Sequence, residues 1–110
     1  MAAKLTIGFI GAGKMAAALA KGFIRTGLVS PRQVIAGDPV ESARRAFAKT
    51  VGAKTTATNA DVVRFASVVI LAVKPDQAGA VLSEIRGCFT KRHLLISIAG
   101  RAAGKTGSSS

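Results

Sequence analysis

The feature that most constrains this chain is a glycine cluster between a short apolar run and an alanine-rich segment, IGFIGAGKMAAALAKGFI at residues 7–24. Gly11, Gly13 and Ala16 fit the pattern G-x-G-x-x-A. In a strand–turn–helix unit the first glycine allows a tight turn and the second lets the backbone approach a pyrophosphate. The small third residue lets the helix pack closely on the strand. The helix N-terminus would face the phosphates, so the pattern predicts dinucleotide binding.

The same letters admit a second interpretation, because residues 8–14 spell G-x-x-x-x-G-K, the start of a P-loop. Met15 stands where a P-loop has the Ser or Thr that coordinates magnesium. Gly8 also falls within the predicted strand, which is too early for the loop. The dinucleotide turn is therefore the favoured interpretation.

Strand and helix patterns alternate along the chain. The predicted strands cover residues 4–10, 34–37, 53–56, 67–73 and 94–99. The predicted helices cover residues 14–26, 38–51 and 77–86, with a short helix that begins at Thr58 or Asn59. Nearly continuous apolar strands that alternate with helices indicate a parallel sheet covered on both faces. We therefore predict an α/β fold of the Rossmann type, a doubly wound parallel sheet of about five strands in a single domain over residues 1–100.

The first predicted helix carries Met15, Leu19 and Phe23 at every fourth position, which predicts that they share one face. Gly27 follows this helix and can end it in a left-handed turn.

Asp38 stands at the end of the second predicted strand. In this fold an acidic residue there holds the ribose hydroxyls and favours NAD, whereas a basic or small residue admits the 2′-phosphate of NADP. Asp38 also fits the N-cap of the next helix, since Pro39 takes the first position. Arg44 and Arg45 follow one turn later and can meet a 2′-phosphate. The sequence therefore predicts NADPH or NADH as the cofactor without choosing between them.

The fourth predicted strand ends in Val73-Lys74-Pro75. In a doubly wound sheet this strand lies beside the first, so its carboxyl end borders the dinucleotide. Pro75 has no amide to donate and stops the strand. Lys74 is either an acid or phosphate contact, or a solvated side chain beside a backbone that lines the site.

Composition narrows the classes of partner. The chain has 16 Lys+Arg against 5 Asp+Glu, a formal net charge of +11, which favours anionic partners. Nucleic-acid binding is disfavoured because the chain has no Trp or Tyr for stacking. Cys88 and His93 are single residues of their kinds, so neither a disulfide nor a metal site is expected. No apolar run reaches the ~20 residues of a membrane span, so we expect a cytoplasmic protein without a membrane partner.

Three stretches resemble the N-terminal domain of pyrroline-5-carboxylate reductase: IGFIGAGKMAAALAKGF, TNADVVRFASVVILAVKP and LLISIAG. The combination of GAGKM with AVKP is fairly specific for that family. Each motif alone is shared with coenzyme F420-dependent NADP reductases and the 3-hydroxyisobutyrate dehydrogenase group. The resemblance implies NAD(P)H-dependent reduction of 1-pyrroline-5-carboxylate to L-proline, a step of proline biosynthesis.

The resemblance also implies which residues contact the cofactor, and it assigns no catalytic or metal-binding residue in this chain. Asn59 has a second interpretation as a helix cap. With Asp38 from the strand-end argument, the predicted cofactor-binding residues are Ile10, Gly11, Ala12, Gly13, Lys14, Met15, Asp38, Asn59, Ala72, Val73, Lys74 and Pro75.

Members of that family continue past the fifth strand into more sheet and a helical domain, which dimerises and forms most of the substrate pocket. Here the polar segment RAAGKTGSSS, residues 101–110, follows instead and is expected to be disordered. We therefore expect a truncated chain that binds cofactor but has little or no reductase activity alone. Full-length relatives are expected to be homo-oligomers, and a non-catalytic dinucleotide-binding module is the alternative.

Overall fold

We describe residues 5–91 and 93–98 of a computed structural model of the chain. Within them, five strands form one parallel sheet in the order β3-β2-β1-β4-β5. The strands are β1 (Ile7–Ile10), β2 (Val34–Gly37), β3 (Lys54–Thr56), β4 (Val68–Leu71) and β5 (Leu94–Ser97). The helices are α1 (Lys14–Arg25), α2 (Glu41–Val51), α3 (Asn59–Phe65) and α4 (Pro75–Ile85). Because the strand order reverses between β1 and β4, the sheet is doubly wound, and the predicted fold class is confirmed.

The two faces of the sheet are buried by different pairs of helices. Phe9 and Ile70 belong to the apolar cluster that includes residues of α1 and α2. Ile10 and Leu71, the next residues along the same strands, belong to the cluster formed with α3 and α4. Since both faces are covered, these strands need no polar side, which explains their continuous apolar sequence.

Glycines under α3 bring this helix close to the sheet. A Cβ atom on Gly8 would lie 2.5 Å from Val62 Cγ1, and one on Gly37 would lie 2.6 Å from Val62 Cγ2. Gly8 lies inside β1, paired in register with both β2 and β4. The glycine that would begin a P-loop is thus a strand residue beneath a helix, which rules out that interpretation.

Several predicted boundaries are wrong. The second helix begins at Glu41 with Val40 as its N-cap, two residues later than the predicted start with Asp38 as N-cap and Pro39 at the first position. The fourth helix begins at Pro75 rather than at residue 77, because proline fits the first helical position. The fourth strand ends at Leu71 instead of continuing to residue 73.

The fifth strand lies where it was predicted, but it is more exposed than a covered strand should be. Leu94 is 57% and Ile96 is 42% exposed. β5 is an edge strand whose single neighbour among the described strands is β4, so one side and parts of both faces remain open. The predicted polar tail at residues 101–110 lies outside the described residues.

Candidate cofactor site

The carboxyl ends of the strands form one edge, where backbone pairing continues one residue beyond the strands. Gly11 N–H donates to the Gly37 carbonyl oxygen at 2.7 Å, and Ala72 N–H donates to the Ile10 carbonyl oxygen at 2.8 Å. The end of β1 is therefore fixed between β2 and β4, at the point where the strand order reverses. Open α/β sheets bind their ligands at this point.

Gly11 makes the turn out of β1 in a conformation that requires glycine. Its φ is +106°, and a Cβ atom would lie 2.7 Å from the Ala72 carbonyl oxygen. Both the backbone angle and the neighbouring strand end exclude a side chain here. The prediction that the first glycine allows a tight turn is therefore explained by its positive φ and by the contact with Ala72.

Gly13 differs, because nothing in the described structure requires it to be glycine. It is the N-cap of α1 with φ of −80°, and a Cβ atom would meet no atom within 4 Å. α1 begins without a side-chain cap and without an acidic residue in its first turn. The uncapped amides and the open space above Gly13 fit an anionic group, such as a pyrophosphate, lying against the backbone.

The face that α1 buries is made of small residues. Ala16 and Ala20 are fully buried, whereas Met15 is 51% exposed. Leu19 and Phe23 are only partly buried against the same cluster. The buried face of α1 is therefore shifted by one residue from the predicted face. Ala16, the small third residue of the glycine motif, allows the close packing of helix on strand that the motif predicts.

Asp38 joins the glycine turn to the end of β2. Its Oδ2 accepts a hydrogen bond from Ala12 N–H at 2.9 Å, and its Oδ1 accepts one from Val40 N–H at 2.9 Å. The prediction that Asp38 caps α2 is wrong, since its carboxylate is held by amides outside that helix. A carboxylate offers about four acceptor positions, so it retains capacity for ribose hydroxyls.

The two arginines after β2 have different partners. Arg44 Nη1 donates to the Asp38 carbonyl oxygen at 2.7 Å, which brings its guanidinium to the end of β2. Arg45 pairs with Glu41 at 3.1 Å, and both side chains are exposed. Arg44 is therefore the arginine that lies nearer the strand end.

Asn59 and Thr58 open α3 in different ways. Thr58 is the N-cap, and its hydroxyl accepts from Asp61 N–H at 3.4 Å. Asn59 Nδ2 instead donates to Glu84 Oε1 on α4 at 3.1 Å. The interpretation of Asn59 as the helix cap is wrong, and its contact with a cofactor stays a prediction.

The carboxylate of Asp61 is a feature that sequence reasoning missed. Hydrogen bonds from Thr58 and then Thr56 lower its pKa below the ordinary 3.8, and the charge of Arg64 lowers the pKa further. The spacing Thr-x-x-Asp before an apolar segment is the signal that would have indicated it.

The segment from Ala72 to Pro75 runs from β4 into α4. Lys74 is the N-cap of α4, with no side-chain capping bond, and its carbonyl oxygen accepts from Gln77 N–H at 2.9 Å. Ala72 contacts the turn at Gly11 through its backbone, as described above. The structure thus places the start of this segment opposite the glycine turn.

A cavity of about 520 Å³ lies between α1 and α2 and was not foreseen from the sequence. Gly13 and Lys14 line its end nearest the turn, and alanines line much of its wall. Lys21 and Phe47 border it farther along the helices. The cavity therefore extends the open space beside the turn along α1, not across the strand ends.

His93 lies outside this site, and its side chain anchors the segment that precedes β5 through two hydrogen bonds. Its Nδ1 accepts from Thr90 N–H at 2.9 Å, so Nε2 carries the proton and donates to the Val63 carbonyl oxygen at 2.8 Å. In the part of the chain that the structure describes, no three His, Cys, Asp or Glu side chains are grouped to hold a metal ion. The described helices include none with the length and apolar character needed to cross a membrane.

Comparison with known proteins assigns this geometry to a family. The family described as NADP oxidoreductase coenzyme F420-dependent matches residues 6–101. The chain belongs to this family. It is 42% identical over 93 residues to a pyrroline-5-carboxylate reductase of Methanosarcina acetivorans, which covers 84% of this chain and 34% of that protein.

Solved structures agree with this assignment. A pyrroline-5-carboxylate reductase from Coxiella burnetii superposes with a TM-score of 0.80 at 32% identity, covering 88% of this chain and 36% of that one. Pyrroline carboxylate reductase of Plasmodium falciparum, with NADP bound, has a TM-score of 0.73 at 30% identity and covers 87% and 34%. The predicted resemblance is confirmed, and the chain spans about a third of the length of the curated relatives it matches.

Proposed function

We propose that this chain is the cofactor-binding portion of a pyrroline-5-carboxylate reductase, an oxidoreductase of proline biosynthesis. One observation carries the proposal. The turn at Gly11 and Gly13, open above Gly13 and placed where the strand order reverses, lies in a chain about 40% identical to reductases of that name. No atom of the described residues requires glycine at residue 13, whereas a bound pyrophosphate would require it.

In this proposal the chain binds and orients NADPH or NADH. The turn from Ile10 to Met15 holds the pyrophosphate through backbone amides and the N-terminus of α1. Asn59 contacts the cofactor beside β3, and residues 72–75 line the strip next to the ribose and nicotinamide. When bound, the reduced nicotinamide supplies the hydride that converts the imine of 1-pyrroline-5-carboxylate to the amine of L-proline.

The end of β2 accommodates either cofactor. The carboxylate of Asp38 retains acceptor capacity for the ribose hydroxyls of NADH. Arg44 brings a guanidinium to the same strand end and provides a partner for the 2′-phosphate of NADPH. We propose that both cofactors bind here.

We further propose that residues 1–100 belong to the cofactor domain. The resemblance to pyrroline-5-carboxylate reductases implies that a helical domain forms the substrate pocket and the homo-oligomer. In this proposal such a domain orients the imine and excludes water, so the cofactor portion without it is expected to have little reductase activity. The proposed location is the cytoplasm.

A chimera tests whether this portion can supply the cofactor to the reductase reaction. Residues 1–98 replace the matching third of the Methanosarcina acetivorans reductase, and NADPH oxidation is followed with 1-pyrroline-5-carboxylate. The chimera is expected to reduce this substrate, whereas the same chimera with Gly13→Val is not. A chimera that folds and binds NADPH but reduces no 1-pyrroline-5-carboxylate contradicts the proposal.

The family description favours a second candidate, hydride exchange between NADP and coenzyme F420. The same chimera does not serve here, because its substrate pocket comes from the reductase. The natural protein that carries this cofactor portion, assayed with reduced F420 and NADP in parallel with 1-pyrroline-5-carboxylate, distinguishes the two.

A further inference from the structure

The backbone around Asp38 is fixed on both sides. Its N–H donates to the Thr56 carbonyl oxygen at 3.0 Å, and its carbonyl oxygen accepts from Arg44 at 2.7 Å. The carboxylate is therefore presented from a rigid position, and its two oxygens accept from Ala12 and Val40 at 2.9 Å each.

The Ala12 amide lies in the centre of the glycine turn, after β1 has ended and before α1 begins. Ala12 is 3% exposed, so its N–H needs a partner within the protein. The carboxylate of Asp38 fills this need from 26 positions further along the chain. A hydrogen bond from an amide to a carboxylate is about twice as strong as one between neutral groups.

We propose that Asp38 is a positioning residue for the glycine turn and acts on nucleotide binding through the Ala12 amide, independently of the ribose 2′-hydroxyl. The inference rests on the proposed function, since it assumes that the turn holds the pyrophosphate of a nucleotide. In Asp38→Asn the side chain has one acceptor oxygen for two amides, and its NH₂ group faces the other N–H. In either orientation of the side-chain amide, the charge-assisted hydrogen bond from Ala12 N–H is replaced by a weaker neutral one or is lost.

Two nucleotides separate this role from a direct ribose contact. ADP and 2′-deoxy-ADP share the pyrophosphate and differ only in the 2′-hydroxyl, and their dissociation constants are measured by calorimetry. Asp38→Asn is expected to weaken both by about tenfold, which is 1.4 kcal/mol. Glu41→Gln removes a nearby exposed carboxylate and is the matched control, expected to leave both unchanged. If Asp38→Asn weakens ADP but leaves 2′-deoxy-ADP as tight as in the control, the proposal is overturned.

A measurement without nucleotide distinguishes a failure of the positioning role of Asp38 from a failure of the proposed cofactor-binding function. Amide hydrogen exchange at Ala12, followed by NMR in the free protein, is expected to be at least about tenfold faster in Asp38→Asn than in Glu41→Gln. Unchanged exchange at Ala12 overturns the positioning role even if nucleotides bind. If the unaltered chain binds neither nucleotide, the proposed function fails, and exchange at Ala12 still decides whether Asp38 orders the turn.

Discussion

The carbonyl oxygen of Ala72 occupies the space that a Cβ atom of Gly11 would need, at 2.7 Å. The backbone at the end of β4 therefore allows only glycine at the first residue after β1. This contact joins the two strands between which the sheet reverses its order. It makes the first glycine of the turn a requirement of the fold, whereas the second glycine faces open space.

Gly11→Ala is expected to destabilise the chain more than Gly52→Ala. Both residues have positive φ, but a Cβ atom on Gly52 would meet nothing within 4 Å. Gly52→Ala isolates the left-handed strain, about 1–2 kcal/mol. Gly11→Ala adds a backbone clash, on the order of 1–3 kcal/mol more. Urea unfolding measures both, and equal losses would contradict the contact with Ala72.

Gly37→Ala is expected to cost about 1–3 kcal/mol of stability by overpacking α3 on the sheet. Among the described atoms, its Cβ atom would lie 2.6 Å from Val62 Cγ2, and the next nearest, the Thr58 carbonyl oxygen, would be 3.4 Å away, so Val62→Ala should relieve the clash. The double variant is expected to be more stable than the sum of the single losses predicts, by about 0.5–3 kcal/mol. Strict additivity in a double-mutant cycle would show that α3 does not pack as described.

The sequence was sufficient for the doubly wound parallel sheet and for the place of the fourth strand beside the first, because apolar runs separated by helical patterns permit few arrangements of such a sheet. The sequence was also sufficient for the turn between β1 and α1, since the conformation there depends on Gly11, Gly13 and Ala16, which lie within six consecutive residues. It failed at the start of α2. Asp-Pro-Val-Glu fits a local capping pattern, but the carboxylate of Asp38 is held by an amide 26 positions earlier. Such a partner cannot be read from neighbouring letters.

Other failures have the same origin. Asn59 fits a cap by type, yet its side chain meets Glu84, 25 positions away. In α1 the large residues were taken to mark the face, but the helix lies so close to the sheet that alanines form the buried stripe. The exposure of β5 depends on what covers a sheet edge, and a strand's own residues do not determine this.

Asp61→Asn is expected to lower the melting temperature at neutral pH. The Thr58 and Thr56 hydroxyls hold the pKa of Asp61 below the ordinary 3.8, so the folded state prefers the carboxylate. This stabilisation is complete above the unfolded-state pKa and is lost as the pH falls through the lower native pKa.

The difference in melting temperature between Asp61→Asn and the unaltered chain should therefore shrink below about pH 4. Asp76→Asn is the control, since it removes a carboxylate from the first turn of α4 without these threonines. A difference that stays constant down to the lowest pH would contradict the predicted linkage.

The role of the glycine turn in cofactor binding is tested most directly by titrating NADPH and NADH into the unaltered chain and into Gly13→Val. The chain has no Trp or Tyr, so the fluorescence of the reduced nicotinamide is measured without protein background. Gly87→Val is the matched control, because a Cβ atom at this residue would also meet nothing within 4 Å, and the residue follows α4 rather than β1. The unaltered chain and Gly87→Val are expected to bind at least one cofactor with Kd below about 1 mM, whereas Gly13→Val is expected to remain folded but not to bind. Binding by Gly13→Val as tight as by the unaltered chain would contradict this role of the turn.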